Sequence, residues 1–527
     1  MARTRSQRKE VERNTCSLND VGGTAAASLS GRADRPSKKS SQEARSAFCA
    51  DPEIGASVVV SAGAVHGERA LFTTRSFAAW VAKSSARDAC ESRRLSVPSQ
   101  IQSSAPTWPA NESKGAVMMV TDVAGSALFG IALAFTAWSP GRSSAMGLLF
   151  PMLWVMSISR VAALVFAAAY AMTVVRFLPN FAGNWFDSPA LGWACWIGVG
   201  IASGGLWGLL WPAKSNPLRV AVATFAALVL SLMSPVGALF PGHPVASWGF
   251  AWPGSGWLGI AALSLGTATA AAALRLAASL RNGTDYAWLA LAIAAIALAV
   301  FGIKPDPQEG GRAGSVVGIN TAWGGFPSYG SLDVAERLRR IGATVDSLYA
   351  DAALTLVFPE AILGLYDSSL DDAIELEIGR KIRRTGQTVV LGADMDAGGG
   401  RFVNAALVLH PDGTRSIVAA RQTTPVAQWR PWSRAMHFPA NWLSDATVTL
   451  GDDRKARIMF CHEEWMPALH LLSEAREGHQ VVIAMANLWA AADPLANDVQ
   501  AAHTQGMALL FGSPFVRSVN LPSARAP

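Results

Sequence analysis

Between positions 117 and 303 the chain is made largely of Ala, Leu, Val, Gly and Trp, in apolar runs long enough to cross a bilayer, which takes about 20 residues each. The runs fall at 117–138, 146–175, 190–211, 218–240, 256–279 and 286–303. Arg160 stands in the middle of the second run, which reads either as one tilted helix or as two short ones turning there, so six or seven spans are expected. An arginine inside a span is costly unless it faces protein or water, which leaves Arg160 as a functional residue or as the marker of a loop. Trp185, Trp193, Trp196, Trp207, Trp211, Trp248, Trp252 and Trp257 gather toward the ends of the runs, where amphipathic rings favour the membrane interface.

The basic residues between the runs give an orientation. Lys214 and Arg219 lie in one connection and Arg275 and Arg281 in another, whereas 241–254 holds no Lys or Arg. Basic connections stay on the cytoplasmic side. Counting one span onward from Arg275 and Arg281 places everything after 303 on the opposite side, which in a bacterium is the periplasm. The expected protein is a multi-pass component of the inner membrane.

The regions on either side differ from this one. Residues 1–115 are rich in Ser, Arg and Ala, carry clusters such as Arg5-Ser6-Gln7-Arg8-Lys9, and show little apolar periodicity. Such a segment cannot bury enough apolar surface to offset the entropy of ordering it, so a disordered basic tail is expected. A basic tail could meet nucleic acid or acidic lipid, but composition favours plain solvation, and direct nucleic-acid binding is not expected. It begins without a compact apolar signal segment. Met118 or Met119, at the opening of the first run, is a second candidate start that would leave the tail upstream of the natural protein.

In 304–527 charged residues return and short β runs alternate with helical patterns. Strands are expected at 315–320, 354–358, 388–393, 404–410, 456–461, 480–484 and 515–519, and helices near 333–341, 369–384 and 494–510, with Gly386 as a helix stop. The alternation implies a layered α/β domain.

Cys461 is the only cysteine in this last region and closes the run Ile458-Met459-Phe460-Cys461. A lone cysteine is ordinarily a small core residue. The run Leu354-Thr355-Leu356-Val357-Phe358-Pro359-Glu360, however, delivers a carboxylate at the end of another strand. A free thiol has a pKa of about 8.5, so a nucleophilic cysteine needs a base or a positive field beside it. Glu360 and Cys461 suggest that pairing. His462, His470 and His479 match no zinc spacing, and no metal or cofactor is expected. Cys16, Cys49, Cys90 and Cys195 form no disulfide framework.

Phe358-Pro359-Glu360, Asn404-Ala405-Ala406 with Pro411-Asp412-Gly413, and Cys461-His462-Glu463 resemble, in order and spacing, the landmarks of the nitrilase (carbon-nitrogen hydrolase) superfamily. Asn487-Leu488-Trp489 and the segment from Gly512 to Asn520 resemble the closing part of that domain in apolipoprotein N-acyltransferase, which also has a multi-span membrane domain in front. The resemblance implies an α-β-β-α sandwich with Glu360 as general base and Cys461 as nucleophile. Glu463 keeps the acid two places after the cysteine. The family's lysine does not carry over: Ala420 stands in its position, followed by Arg421, and Gln428 stands where the acyltransferase has another glutamate. The stretch Arg421-Gln422-Thr423-Thr424-Pro425-Val426-Ala427-Gln428-Trp429-Arg430-Pro431-Trp432 is most similar to the conjugal transfer protein TraB family of bacterial plasmids. Against the acyltransferase pattern, the last hairpin and final span are missing after Asn520.

Two classes of function follow. In one, Cys461, deprotonated by Glu360, attacks an acyl or amide carbonyl of a membrane lipid or membrane-bound peptide, with backbone N–H groups and Arg421 holding the oxyanion. In the other, the domain is an inactive scaffold that binds proteins of the conjugation apparatus.

Overall fold

The computed structural model describes residues 111–213, 216–233, 240–280, 283–303, 312–327, 332–348, 354–433 and 437–523. The expected disordered tail lies outside the described residues as far as position 110. The first helices are α1 (Asn111–Trp138), α2 (Phe150–Val155), α3 (Arg160–Val174), α4 (Leu178–Trp185) and α5 (Pro189–Leu210). They are followed by α6 (Pro217–Leu232), α7 (Pro244–Ala251), α8 (Gly256–Ala278) and α9 (Gly283–Phe301).

Among the described residues, α5 and α8 are long and apolar enough to cross a membrane, and α3 with α4, bent by 60°, forms a third such element if taken as one broken span. Two of the expected apolar runs, 146–175 and 218–240, give helices that end before the run does. The run at 146–175 breaks where the Ser159 hydroxyl accepts the Ala162 N–H at 3.1 Å and caps α3. Arg160 therefore begins a helix at an exposed turn and is not in mid-span. The run at 218–240 gives a helix that stops at Leu232. The stretch at 241–254 holds the short helix α7, capped when His243 Nδ1 accepts the Val245 N–H at 3.0 Å.

These helices meet through small residues. The buried face of α5 is Gly192, Gly200, Ser203, Gly204, Trp207 and Gly208. A methyl group at Gly204 would lie 2.8 Å from the Leu164 carbonyl oxygen of α3, so the glycine permits the close crossing. The opposite face carries Leu191, Ile197, Ile201 and Leu209 outward, Leu209 being 74% exposed. An apolar cleft of about 630 Å³ lies among α2, α7, α8 and α9, lined by residues such as Met152, Trp248, Thr267 and Leu298.

From Arg312 the chain builds two sheets. The first runs β1 (Arg312–Ala313), β2 (Val316–Gly318), β3 (Thr355–Val357), β5 (Thr388–Gly398), β6 (Arg401–Leu409) and β7 (Arg415–Ala419), with β4 (Leu365–Tyr366) on β5. The second has the order β11 (Phe515–Asn520), β10 (Val481–Asn487), β9 (Lys455–Phe460) and β8 (Thr447–Thr449). Strands β2, β3 and β5 are parallel, as are β9, β10 and β11. All seven strands expected from the sequence are present. Strands β1, β4, β7 and β8 were not anticipated; β1 and β4 are two residues each and β8 three, too short for periodicity to register.

Helix α10 (Leu332–Ser347) and the helical segment formed by α11 (Asp371–Ile374), a π turn at Glu375–Gly379 and α12 (Arg380–Thr385) cover the first sheet. Their Val334, Leu338, Ile341, Ile378 and Ile382 pack with Leu356, Val389, Leu391 and Leu407. Gly386, with φ +74°, stops α12 as expected. A second apolar layer joins the two sheets through Val357, Val390, Val408, Ile458, Ile483 and Val516. Helix α13 (Pro467–Arg476) and the end of α14 (Leu495–Phe511) cover the second sheet, with Met459, Leu469, Val482 and Ala508 in contact. The result is an α-β-β-α sandwich, the layout that the nitrilase resemblance implies.

Candidate functional site

The parallel strands of both sheets end on one side. Just past β2, Thr321 forms a parallel bridge with Asn520 at the end of β11, so the two sheets share a direction. The carboxyl ends of parallel strands are where α/β proteins present groups to ligands. Strand β3 runs into Glu360, β9 into a 3-10 turn that opens at Cys461, β10 ends at Asn487 and β11 at Asn520.

Glu360 is held in a buried turn. Ala361 takes φ +47°, a left-handed conformation that costs an alanine energy. A methyl group at Gly392 of β5 would lie 2.3 Å from the Pro359 carbonyl oxygen and 2.5 Å from Glu360 Cα, so only glycine lets the sheet pass beneath the turn. Asn404 Nδ2 donates to Glu360 Oε1 at 2.5 Å, and the Asn487 N–H donates to Oε2 at 3.2 Å. Asn487 Nδ2 also donates to the Glu360 carbonyl at 3.0 Å and so fixes both the main chain and the side chain of the same residue.

The Cys461 thiol and the Glu360 carboxyl lie close enough to influence each other's protonation. Burial is the largest influence on Glu360; together with the negative charge of Asp394 it outweighs the hydrogen bonds from Asn404 and Asn487 and the influence of the Cys461 thiol, and lifts the carboxyl to about 8. Cys461 as a whole is only partly buried. Dehydration is nonetheless the largest effect on its thiol, ahead of the charges of Glu360 and Glu464, and drives it well above its ordinary value. Near neutral pH the pair therefore mostly holds both protons, and the fraction in which Glu360 has given up its own proton is the one that can take the thiol proton as the sulfur attacks.

The other two residues expected at the site point elsewhere. Ala420 belongs to the inter-sheet core, and because neighbouring residues of an extended chain face opposite ways, Arg421 faces the outer layer. Its Nη1 donates to Ser473 Oγ at 2.7 Å and to Glu477 Oε1 at 3.5 Å, and Nη2 to the Leu469 carbonyl at 3.4 Å. The expectation of Arg421 at the oxyanion is corrected on that geometry: its guanidinium is fully buried against α13. The Glu463 carboxylate accepts the N–H groups of Arg421 at 2.5 Å, Gln422 at 2.9 Å and Phe460 at 3.2 Å. It latches the Ala420–Gln422 segment to the nucleophile turn and does not face the thiol. Gln428 stays in its own loop, where Oε1 accepts the Thr424 N–H at 3.4 Å.

Sequence reading missed several neighbours. Asp394, at the far part of β5, is raised by burial to about 7 and leaves Oδ1 without a hydrogen-bond partner among the described residues. Gln500 of α14 reaches the thiol turn with Nε2 2.5 Å from the Cys461 carbonyl oxygen. Glu464 pairs with Arg517, Nε to Oε2, at 3.0 Å. Asn404 and Asn487 were visible as landmarks at strand positions, but nothing in a single sequence marks Gln500. Over the site, Phe177 and Phe181 share an apolar cluster with Cys461. Trp185 of α4 packs on Trp489 and Phe326, each at 5.6 Å between ring centres. The bent helix of the apolar region thus packs against the same apolar cluster as Cys461. Among the described residues no group of His, Cys, Asp and Glu is placed to hold a metal.

No family model matches the chain. Among solved structures it is similar to a variant of the Nesterenkonia AN1 amidase from the nitrilase superfamily, with 15% identity and a TM-score of 0.25, covering 33% of this chain and 64% of that one. It is also similar to a carbon-nitrogen hydrolase from Helicobacter pylori G27, with 12% identity and a TM-score of 0.31, covering 39% of this chain and 72% of that one. Among curated proteins, "Conjugal transfer protein TraB" of Agrobacterium fabrum is 28% identical over 415 residues, 75% of this chain and 91% of that protein. "Probable conjugal transfer protein TraB" of Sinorhizobium fredii is 26% identical over 396 residues, 71% of this chain and 91% of that protein. With the glutamate and cysteine landmarks meeting in one buried site, and with similarity running through both the apolar and the layered regions, the chain resembles the conjugal transfer protein TraB family over most of its length.

Proposed function

We propose that this chain is a membrane-anchored, nitrilase-like accessory protein of bacterial conjugal plasmid transfer, in which Cys461 performs an acyl transfer or an amide hydrolysis. The observation that carries the reading is the Glu360 carboxyl, buried beside the Cys461 thiol and fixed by Asn404 and Asn487. As Sγ bonds to the substrate carbonyl carbon, the thiol proton passes to Glu360 in its ionised, carboxylate form. The tetrahedral oxyanion is met by N–H groups of the nucleophile turn. When it collapses, the bond to the leaving amine or alcohol breaks and Glu360 returns the proton to that group, leaving a thioester. Water or an acceptor amine then attacks the thioester, giving its proton to Glu360, and the thiol is restored. The outward apolar faces of α5 and α8 support anchoring in the inner membrane, with a periplasmic soluble domain as the orientation from the basic connections. The aromatic side chains of Phe181 and Trp185 that pack near the site support a lipid or a membrane-bound peptide as substrate.

Intact-mass analysis of the protein from membranes tests this. An acyl adduct on the wild type that is missing from Cys461→Ser is the expected result; a thiol that is never modified and is inert to electrophiles contradicts it.

A second reading is a scaffold of the mating apparatus that has lost its chemistry, and it is favoured by Ala420 in the lysine position with the Arg421 guanidinium turned outward. Conjugation from donors complemented with Glu360→Gln or Cys461→Ala, at membrane abundance equal to wild type, separates the two. Undiminished transfer supports the scaffold and lost transfer supports the enzyme.

A further inference from the structure

The Cys461 site lacks the lysine of the family pattern, yet a side-chain donor stands at the thiol. Gln500, 1% exposed on α14, sets Nε2 3.7 Å from Cys461 Sγ as well as 2.5 Å from the Cys461 carbonyl oxygen. Its other end is fixed: Gln500 Oε1 accepts from Arg517 Nη2 at 3.2 Å. Arg517 is held in turn by Glu464 and by Asn497. One helical face of α14 grips the whole nucleophile turn, since His503 Nδ1 meets the Glu464 carbonyl at 2.8 Å and the Thr504 hydroxyl donates to Glu464 Oε2 at 2.9 Å. Residues three and four places apart share a helix face, which is why Gln500, His503 and Thr504 reach one short turn.

We propose that Gln500, oriented by Arg517, is the catalytic donor that takes the lysine's place, stabilising the Cys461 thiolate and the oxyanion that follows. The inference rests on Cys461 being a nucleophile. The fixed amide orientation is chemically the useful one. With its oxygen bound to a guanidinium, Gln500 can present only its NH₂ group to the sulfur, and hydrogen bonds in such a chain strengthen one another. Arg517 cannot supply free positive charge, because Glu464 neutralises it; the thiolate therefore receives a dipole where the family has an ammonium. A neutral donor gives roughly half the stabilisation of a charged one. The site should accordingly work at higher pH than a lysine-bearing relative. Arg517 is a positioning residue, acting only through the amide.

The test is the rate at which iodoacetamide alkylates Cys461 in the full-length protein in detergent, followed by peptide mass from neutral to alkaline pH. In this probe reaction the S–C bond forms, iodide leaves and Glu360 takes the thiol proton. Gln500→Met keeps the length of the side chain and removes the donor; it is expected to slow alkylation about tenfold or more and to move the pH midpoint upward. Adding Ala420→Lys to that variant should restore much of the rate and bring the midpoint back down. Arg517→Lys, which keeps the charge beside Glu464 but loses the fork that reaches Gln500, should give the same upward shift in smaller measure, and it serves if Gln500→Met fails to accumulate. An unchanged rate and midpoint in folded Gln500→Met, with the wild-type thiol reactive and Glu360→Gln slow, overturns the role of Gln500 alone. A wild-type thiol that is inert, or as reactive in Glu360→Gln, overturns the nucleophile and this inference together.

Discussion

The helical region up to Phe301 and the layered region from Arg312 use the same apolar residue types in opposite ways. In α5 Gly192, Gly200, Gly204, Gly208 and Ser203 are inside while Ile201 and Leu209 face outward; in β3, β5 and β9 the large aliphatic residues are inside. Water rewards burial of large side chains, whereas in lipid large side chains are at home outside and close packing of small ones holds helices together. The difference decides where polar chemistry can sit. The layered region buries Glu360, Arg421, Arg457, Glu463 and Glu464, each with hydrogen-bond partners, and Glu360 meets Cys461 among them. Helix α14 belongs to both regions. Leu495, Val499, Ala502, Met507 and Leu510 enter the core of the helices, while Gln500 and Thr504 face the nucleophile turn.

The sharpest break in this comparison removes the chemistry and leaves the helices untouched. Cys461→Ala is expected to abolish acyl adducts, and Glu360→Gln to lower thiol reactivity by roughly a hundred- to ten-thousandfold, the usual worth of a general base. Both variants should accumulate and fractionate as the wild type does, in the membrane fraction if the proposed anchoring holds. Loss of the protein along with the activity would mean that the two regions are not separable in this way.

The outer layer gives the next largest effect. Arg421→Met should cost about 3 to 5 kcal/mol of stability in a denaturant titration, because Glu477 is left buried without its ion-pair partner. The pH profile of Cys461 alkylation in the folded variant should not move. A shifted profile would return the guanidinium to the site that the sequence suggested for it.

How far that suggestion went is instructive. Glu360 and Cys461 were legible because each closes an apolar strand, and strand ends survive in a single sequence as the point where β-branched runs stop. Glu463 was legible as a motif position but not in its role: only the fold reveals that its carboxylate is taken up by three backbone N–H groups. The facing of Arg421 depends on register, which one residue of slip reverses. Gln500 lies 39 residues from Cys461 on a helix whose pattern records only its apolar side. In the helical region, the break inside the run at 146–175 was not legible because Ser159 caps a helix there without interrupting the hydropathy.

The joint between the regions should give a smaller loss. A methyl group at Gly506 of α14 would lie 2.3 Å from the Ala246 carbonyl oxygen of α7, and one at Gly249 would meet the Gly506 carbonyl oxygen at 1.9 Å. Gly506→Ala is expected to cost about 1 to 3 kcal/mol by forcing the two helices apart, measured as a lower melting temperature in detergent. Because α14 also carries Gln500, thiol reactivity should fall with it. If reactivity is kept while stability drops, the grip of α14 on the turn does not depend on its seat among the helices.

The most graded effect is that of pH. With Glu360 at about 8, the rate of Cys461 alkylation should rise up to about tenfold per unit through neutral pH and level off above the midpoint of the coupled pair. Stability should move the other way. The folded pKa lies above the ordinary carboxyl value of 4.5, so the buried neutral form is favourable at acid pH and that stability is lost as pH rises through about 8. Glu360→Gln removes the titrating group. Its melting temperature relative to wild type should therefore be lowest in acid and should climb through neutral pH to its highest value above pH 8. A difference that stays constant with pH would mean that Glu360 titrates normally, as a carboxyl open to water would, and that the contrast between a dry reactive site and a wet surface does not hold at this residue.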